Sequence, residues 1–472
     1  MTSAPGKRGT AFVRRGDASL YRQIYQHIRT AIASGQLQPG GRLPSTRRLA
    51  EEFATARGTI DAAYAMLAGE GYIVARGPAG TIVSPDLDGS VMISAAAKAR
   101  LAANRQQHRL DEPKPFQMGL PALDAFPRKL WSRLVAREAR ALSATDMAYP
   151  DPAGFWPLRQ AVSAYLATSR GITCTPAQVI VTGGYQGALN LAIGRLNRGG
   201  EEVWLEDPCY PLTRETLEFA GARLVPVRVD AEGLRVADGL ARAPRARLAV
   251  VTPSHQSPLG VSLSLPRRLA LLAWAADAGA FVVEDDYDSE FRYVGRPLPA
   301  LKSIDRDQRV LYAGSFSKVL YPGLRLGYLV VPDKLAATFA SANLLHNSGA
   351  STLEQRVVAR FIVEGHFARH IKRMRSLYAA RRQALATALH DVFGDGAEVD
   401  LAPGGMHLMF RPAGRLDDIA LAKLARAAGL AVEALSNRGI AHRSKQALLL
   451  GFTNIAETEA VDMCRRLRRA MR

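Results

Sequence analysis

The stretch VLYAGSFSKVLYPGLRLGYLVV, residues 310–331, decides the reading of this chain. It opens and closes on short apolar runs, Val310 to Ala313 and Gly327 to Val331, with the length and composition of buried β-strands. Between them lie the hydroxyls of Ser315 and Ser317, the amine of Lys318, a turn at Pro322-Gly323 and the guanidinium of Arg325. Ligands of α/β sheets sit beyond the carboxyl ends of strands, so Lys318 stands where a lysine can do chemistry. Two hydroxyls and an Arg this close together can hold one phosphate, while an adjacent amine can form a Schiff base with an aldehyde. Pyridoxal 5'-phosphate carries both groups.

Upstream, Phe281 to Glu284 is another strand-like run and ends in Asp285-Asp286-Tyr287. A carboxylate facing a pyridine nitrogen keeps that ring protonated and electron-withdrawing, and a phenol can hydrogen-bond its 3'-oxygen; Asp285 and Tyr287 fit those roles. The competing reading has Asp285, Asp286 and Asp288 capping a turn or binding a hard cation. Further runs at Val179 to Thr182, Val203 to Glu206, Ala222 to Val227 and Arg247 to Thr252 bring the strands to seven, with helical stretches between them. This predicts an α/β fold with a large seven-stranded sheet domain. From about Asn343 a smaller C-terminal subdomain follows, with strands at Met406 to Phe410 and Leu448 to Phe452.

Residues 1–84 are patterned differently. Leu20, Ile24, Ile28 and Ile32 share one helical face up to Gly35, Ser45 caps a second helix, and Ile60, Tyr64 and Leu67 stripe a third that ends near Gly69 to Gly71. Tyr72 to Val74 and Thr81 to Val83 flank a glycine-bearing loop, the pattern of a β-hairpin. Three helices and a hairpin make a winged helix-turn-helix. Arg47 and Arg57, near the starts of the second and third helices, can offer bidentate forks to phosphate or guanine, and Thr59 can hold a phosphate at a helix N-terminus. Eleven Lys plus Arg stand here against five Asp plus Glu. Residues 85–114 turn polar and Ala-rich with no apolar period, as an interdomain linker does.

Over 472 residues, 48% apolar and 22% charged composition excludes a disordered or fibrous protein and predicts more than one domain. A formal charge of +19 points to an anionic partner, most simply nucleic acid, although an Arg-rich compositional bias would give the same excess. Cys174, Cys209 and Cys464 share no metal-ligand spacing and are too few for a disulfide framework; no metal is expected. No signal-peptide core opens the chain, and the longest apolar stretch, Leu269 to Val283, is broken by Asp277. No membrane association and a cytoplasmic location are expected.

Residues 20–83, with LPSTRRLA at 43–50, resemble the GntR-type winged helix along its whole length. The resemblance implies that Arg47, Arg57, Thr59 and Gly77 contact a double-stranded DNA operator. Ala56 departs from the family's usual Ser, and Gly77-Pro78-Ala79-Gly80-Thr81 stands where the family has a GxGT wing tip. From about Pro115 onward the order of pieces resembles fold type I aminotransferases: YPDPAG (149–154) with LR (158–159), TGGYQGAL (182–189), EDPCY (206–210), then the Asp285 strand and the Lys318 loop. That resemblance implies a pyridoxal phosphate cofactor with Tyr210 stacked on its ring and the Tyr185 backbone and Gln186 at its phosphate. Two departures stand out. Where aminotransferases have the Asn of NPTG, this chain has Ser257-Pro258-Leu259-Gly260, with His255 and Gln256 as candidate substitutes. Where they have a carboxylate-binding Arg, it has Leu449, with Arg438, Arg443 and His407 as candidate replacements.

A head at 1–84, a linker at 85–114 and a body at 115–472, with TPSHQSPLG (252–260) and VEDDYDSEFRY (283–293), resemble the MocR (GabR-like) subfamily of GntR transcriptional regulators. The resemblance implies pyridoxal phosphate held by Lys318, an amine, amino acid or the vitamer itself as effector altering operator binding, and a head-to-tail homodimer. GABA-responsive members place an effector-binding Arg soon after the stacking Tyr; here Pro211, Leu212 and Thr213 precede the first candidate, Arg214, so no GABA response is expected. With the Asn missing and Leu449 in the Arg position, at most slow half-transamination is expected. The alternative is a catalytically active aminotransferase with an accessory DNA-binding domain. A third reading is a regulator whose body has lost the cofactor and only dimerises.

Overall fold

Ile24, Ile28 and Ile32 recur at helical spacing and wind Leu20–Ala33 into α1, whose buried face also carries Tyr25 and Ala33. In this computed structural model the described residues are 19–77, 80–87, 112–196, 199–295, 298–347, 351–414, 417–442 and 445–471; Pro78 and Ala79 of the wing, most of the linker and Arg443 lie outside them. The chain forms two units, Met1–Glu112 and Pro113–Arg472.

In the first unit Ser45 accepts the Arg48 amide at 3.3 Å and so caps α2, Thr46–Glu52. α3, Arg57–Gly69, starts at Ala56 with no side-chain cap, so with Ala in place of Ser the Thr59 amide donates to the Ala56 carbonyl, at 2.9 Å, and not to a cap side chain. Ile24, Ile60 and Leu67 are fully buried between these helices, and Tyr64 Oη donates to the Pro44 carbonyl at 2.8 Å, tying α3 to the turn before α2. β1, Ile73–Ala75, and β2, Thr81–Val83, form the antiparallel wing. A bridge from Arg42 to Ile82, with the Leu43 amide donating to Thr81 at 2.8 Å, supports β2 from its other side.

The second unit is built on a mixed sheet in the order β3-β10-β9-β8-β7-β4-β5-β6. Its strands are β3 (Val179–Thr182), β4 (Glu202–Asp207), β5 (Arg223–Asp230), β6 (Gly233–Leu234), β7 (Leu248–Val251), β8 (Phe281–Asp286), β9 (Val310–Ser315) and β10 (Gly327–Val330). All seven expected strands are present, and the sheet has an eighth: β6 folds back on the end of β5 as a two-residue edge too short to show any alternation. β5, β4, β7, β8 and β9 run parallel, while β10 runs antiparallel between β9 and β3. Alternate side chains serve opposite faces. Leu205, Val250, Val283 and Leu311 pack with α4 (Gly184–Leu196), whereas Trp204, Ala249, Val251 and Val282 pack with Leu271 and Trp274 of α5 (Leu265–Asp277).

Beyond this sheet the 28-residue α6, His366–Phe393, leads to an antiparallel sheet ordered β11 (Glu398–Asp400), β12 (His407–Arg411), β14 (Leu448–Gly451) and β13 (Glu433–Ala434). The segment that opens the unit crosses to this small sheet: Ala431 donates to the Pro115 carbonyl at 2.8 Å and Gly451 to that of Phe116 at 2.9 Å. The carboxyl ends of β3, β4, β7, β8 and β9, the start of β10 and this strap therefore converge on one place.

Candidate functional site

Strand alternation sorts the acidic run at the end of β8. Glu284 accepts the amides of Leu301 and Lys302, both at 2.8 Å, and Asp286 accepts the Tyr312 hydroxyl at 2.6 Å and pairs with Arg170 at 2.5 Å. Asp285, between them, faces a cavity of about 320 Å³. Asp288 meets His255 Nδ1 at 3.1 Å. Three of these carboxylates thus have protein partners, and among the described residues no group of three or more His, Cys, Asp or Glu is placed to hold a metal.

All nine residues that the sequence nominates for a cofactor line this one cavity: Tyr185, Gln186, Tyr210, Asp285, Tyr287, Ser315, Ser317, Lys318 and Arg325. Lys318 Nζ donates to the Gly119 carbonyl at 2.9 Å. Gly119 has φ +65°, a conformation that favours glycine, and a Cβ there would push the lysine amine off this carbonyl. Burial lowers the Lys318 pKa, with Asp288 and Asp285 opposing. Burial likewise raises Asp285 well above the carboxylate range, helped by Asp286 and Asp288.

At the other end of the cavity α4 begins at Gly184, and Arg325, held at φ 50°, reaches the Gly183 carbonyl at 3.4 Å. Ser315 Oγ accepts the Ser317 amide at 3.2 Å. A helix N-terminus, two hydroxyls and a guanidinium form a cup that can take a phosphate. Gln186 Nε2 donates to Thr216 at 3.1 Å, while its Oε1 is buried without a partner. The Tyr185 hydroxyl shares a hydrogen bond with Thr213 Oγ1 at 2.9 Å, and Tyr210 presents its ring 5.7 Å from the Arg438 guanidinium.

The two substitutes considered for the missing Asn both turn away from the cavity. Gln256 Nε2 is used by the Pro208 and Ser257 carbonyls, each at 2.8 Å. His255 lies behind Tyr287, its Nδ1 2.9 Å from that hydroxyl, so it can position the phenol without touching a ligand. Ser257 forms the wall there. Leu449 is fully buried against Met409, Leu435 and Ala447, away from the cavity. Of its candidate replacements, Arg438 and His407 line the cavity and Arg443 lies outside the described residues. Burial and the neighbouring His255 push His407 down to about 3, leaving a neutral ring whose Nε2 is 2.8 Å from the Pro258 carbonyl. Arg214 pairs with Glu218 at 2.9 Å and is not among the lining residues. Sequence reasoning missed Gly119 and Glu433, which tertiary packing alone brings into the wall.

On the winged helix, Arg47 and Arg57 line one open hollow of about 480 Å³ between α2 and α3, each beside an i,i+4 carboxylate, Glu51 at 3.5 Å and Asp61 at 3.7 Å. Thr59 lies in the first turn of α3. Gly77 is exposed with φ 54°, and its carbonyl accepts the Gly80 amide at 3.1 Å. Arg42, which the sequence reading passed over, stands beside Gly80 at the wing; the Gly40-Gly41 turn before it is the signal that could have flagged it. Among the described residues no helix is long and apolar enough to cross a membrane.

Residues 20–83 match the family of bacterial regulatory proteins, gntR family, and residues 125–449 match aminotransferase class I and II, a pyridoxal-phosphate-dependent family. The chain is 36% identical over 456 residues to the probable rhizopine catabolism regulatory protein MocR of Rhizobium meliloti, covering 94% of this chain and 92% of that protein. It is 33% identical over 443 residues to the pyridoxine biosynthesis transcriptional regulator PdxR of Corynebacterium glutamicum, covering 92% of each. The α-aminoadipate aminotransferase of Thermus thermophilus, solved with N-(5'-phosphopyridoxyl)-L-leucine, superposes with a TM-score of 0.69 at 27% identity, over 80% of this chain and 97% of that one. With a gntR helix-turn-helix head and an aminotransferase body matched along nearly their whole joint length, this chain belongs to the MocR-type family of GntR transcriptional regulators.

Proposed function

We propose that this chain binds pyridoxal phosphate at Lys318 and converts capture of an amine, an amino acid or the vitamer itself into altered binding of a double-stranded operator. The observation that carries this reading is the convergence of all nine nominated residues on one cavity. The residues fit the group: a phosphate cup at the start of α4, a buried carboxylate, a buried amine and the unpartnered Gln186 Oε1 are all present. Ser315, Ser317, Arg325 and the first amides of α4 would hold the phosphate, Asp285 the ring nitrogen, Tyr287 the 3'-oxygen and Tyr210 the ring face. When bound, the cofactor supplies an aldehyde that can exchange between Lys318 and an incoming amine.

Asp285 is costly to ionise in its buried position, so a cationic ring N–H is the partner that lets it carry charge. The lowered pKa of Lys318 enlarges the neutral, nucleophilic fraction of its amine. Lys318 also holds the strap through Gly119, and that strap continues directly into the linker sequence. An amine that takes the aldehyde frees Nζ to donate to Gly119, and so acts on the segment leading to the head; it shifts the equilibrium by its differential affinity for the two arrangements. The exposed apolar side chains of Met147, Tyr149 and Trp156, with Tyr149 99% exposed, suit burial against a second copy in a head-to-tail homodimer. Such a dimer reads two operator half-sites. A DNA partner and three free cysteines suit the cytoplasm.

Borohydride treatment of the full-length protein loaded with pyridoxal phosphate should label Lys318. Lys318→Ala should lose covalent capture while keeping its thermal unfolding transition, because the phosphate cup is untouched. Label on another lysine overturns the assignment. Multiple-turnover keto acid production at about 1 s⁻¹ or faster would hand the chain to the aminotransferase reading.

A further inference from the structure

Two charged side chains in the cavity wall are not required to hold the cofactor: Glu433 and Arg438. Arg438 is the one remaining described guanidinium there for an effector carboxylate, since Arg325 belongs to the phosphate cup and Leu449 is fully buried in an apolar nest. Arg438 is already engaged. Its Nη2 donates to Glu433 Oε2, and its guanidinium lies 5.7 Å from the Tyr210 ring centroid. The backbone holds both partners in place: Glu433 is in register with Leu449 across β13 and β14, and the Arg438 carbonyl accepts the Cys209 amide at 3.0 Å. The Arg438 side chain is 6% exposed and that of Glu433 36%, so the carboxylate is the more open of the two.

We propose that Glu433 sets the effector class by filling the carboxylate seat on Arg438, so that the pocket selects amines whose far end is neutral or cationic and disfavours amino acids. The proposal rests on the reading of the Lys318 pocket given above. A ligand that joins through its amine has no ammonium left at that end, and an amino acid then presents a bare carboxylate. To reach Arg438 that carboxylate must displace Glu433 or crowd a second anion onto one guanidinium, and like-charge crowding at a desolvated contact is strongly unfavourable. A second ammonium, in contrast, adds a charge-assisted hydrogen bond to the open lone pairs of Glu433.

Three four-carbon probes separate these terms: butylamine, 1,4-diaminobutane and 4-aminobutanoate, titrated by visible absorbance into the loaded full-length protein. In the wild type, 1,4-diaminobutane and butylamine should bind at least about tenfold more tightly than 4-aminobutanoate. Glu433→Gln should tighten 4-aminobutanoate about tenfold and weaken 1,4-diaminobutane, leaving butylamine nearly unchanged. Glu433→Asp, which keeps the charge, should keep the wild-type order. Wild-type binding of 4-aminobutanoate as tight as butylamine overturns the proposal even if no variant folds, as does a Glu433→Gln variant that leaves the affinity for 4-aminobutanoate unchanged. Failure of the wild type to retain cofactor on Lys318 after borohydride would instead overturn the pocket reading itself.

Discussion

On the winged helix, Arg47 and Arg57 keep 82% and 68% of their side-chain surface in water and touch their i,i+4 carboxylates only loosely. In the body, Arg170 and Arg438 are 4% and 6% exposed and tightly paired, with Asp286 and Glu433. An exposed i,i+4 pair is worth about 0.3–0.5 kcal/mol, so Arg47 and Arg57 give up their partners to a phosphate or a base at little cost. A buried pair is different, because losing one partner strands a charge where water cannot reach it. The same residue type is thus an available ligand contact in one region and part of the wall in the other.

The largest effect that sharpens this contrast comes from two adjacent aspartates on β8. Asp286→Ala should destabilise the body by about 3–5 kcal/mol in urea unfolding, because Arg170 is left buried and unpaired. Asp285→Ala should leave unfolding close to wild type and instead weaken pyridoxal phosphate binding. Equal stability losses for the two would mean that strand alternation does not separate structure from site.

On the exposed side, Arg57→Ala should weaken operator binding by about 1–3 kcal/mol and relax preference at one base position if it reads a base. Arg47→Ala, if the side chain contacts phosphate and not a base, should weaken all sequences alike and reduce the salt slope by about 1. Neither should move the unfolding midpoint appreciably. A marked fall in stability for either would break the comparison, since it would make these arginines structural.

The smallest effect concerns Glu206, which burial pushes up to about 7 from 4.5 although the Thr252 amide and hydroxyl and Gln256 donate to it. The folded state then binds this proton more tightly than the unfolded state. Its stabilisation is fully present below the unfolded pKa and is lost as pH rises through about 7. Glu206→Gln should flatten the unfolding free energy between pH 5 and 8 by about 1–2 kcal/mol, read from urea midpoints at the two ends. An unaltered slope would show that Glu206 stays ionised in the fold.

Much of the site was legible because its signals are local. Lys318 follows β9 and Asp285 lies one residue before the end of β8, and both positions can be read from where an apolar run stops. The helices of the head show their own periodicity and punctuation, and Ser45 shows its cap. Where the signal was longer in range, the reading left alternatives that only packing resolved. His255 is 32 residues from Tyr287 and sits behind it, Gln256 is consumed by backbone carbonyls, and His407 is kept neutral by burial. β6 escaped notice because two residues carry no period.

By itself, then, the amino-acid order determined the two kinds of unit, seven strands of the large sheet and the clustering of Asp285, Tyr287, Ser315, Ser317, Lys318 and Arg325 around strand ends, because strand ends, caps and apolar periods are properties of neighbouring residues; Tyr185, Gln186 and Tyr210 entered through the resemblance of their motifs to fold type I aminotransferases. Only the tertiary structure decided which groups keep them company. Gly119 reaches Lys318 across 199 positions, Asp207 accepts the amides of Ile440, Ala441 and His442 from more than 230 positions away, and Glu433 closes the seat on Arg438. Those contacts arise where sheet, strap and small subdomain pack against one another. Nothing in the local pattern of either partner encodes their meeting.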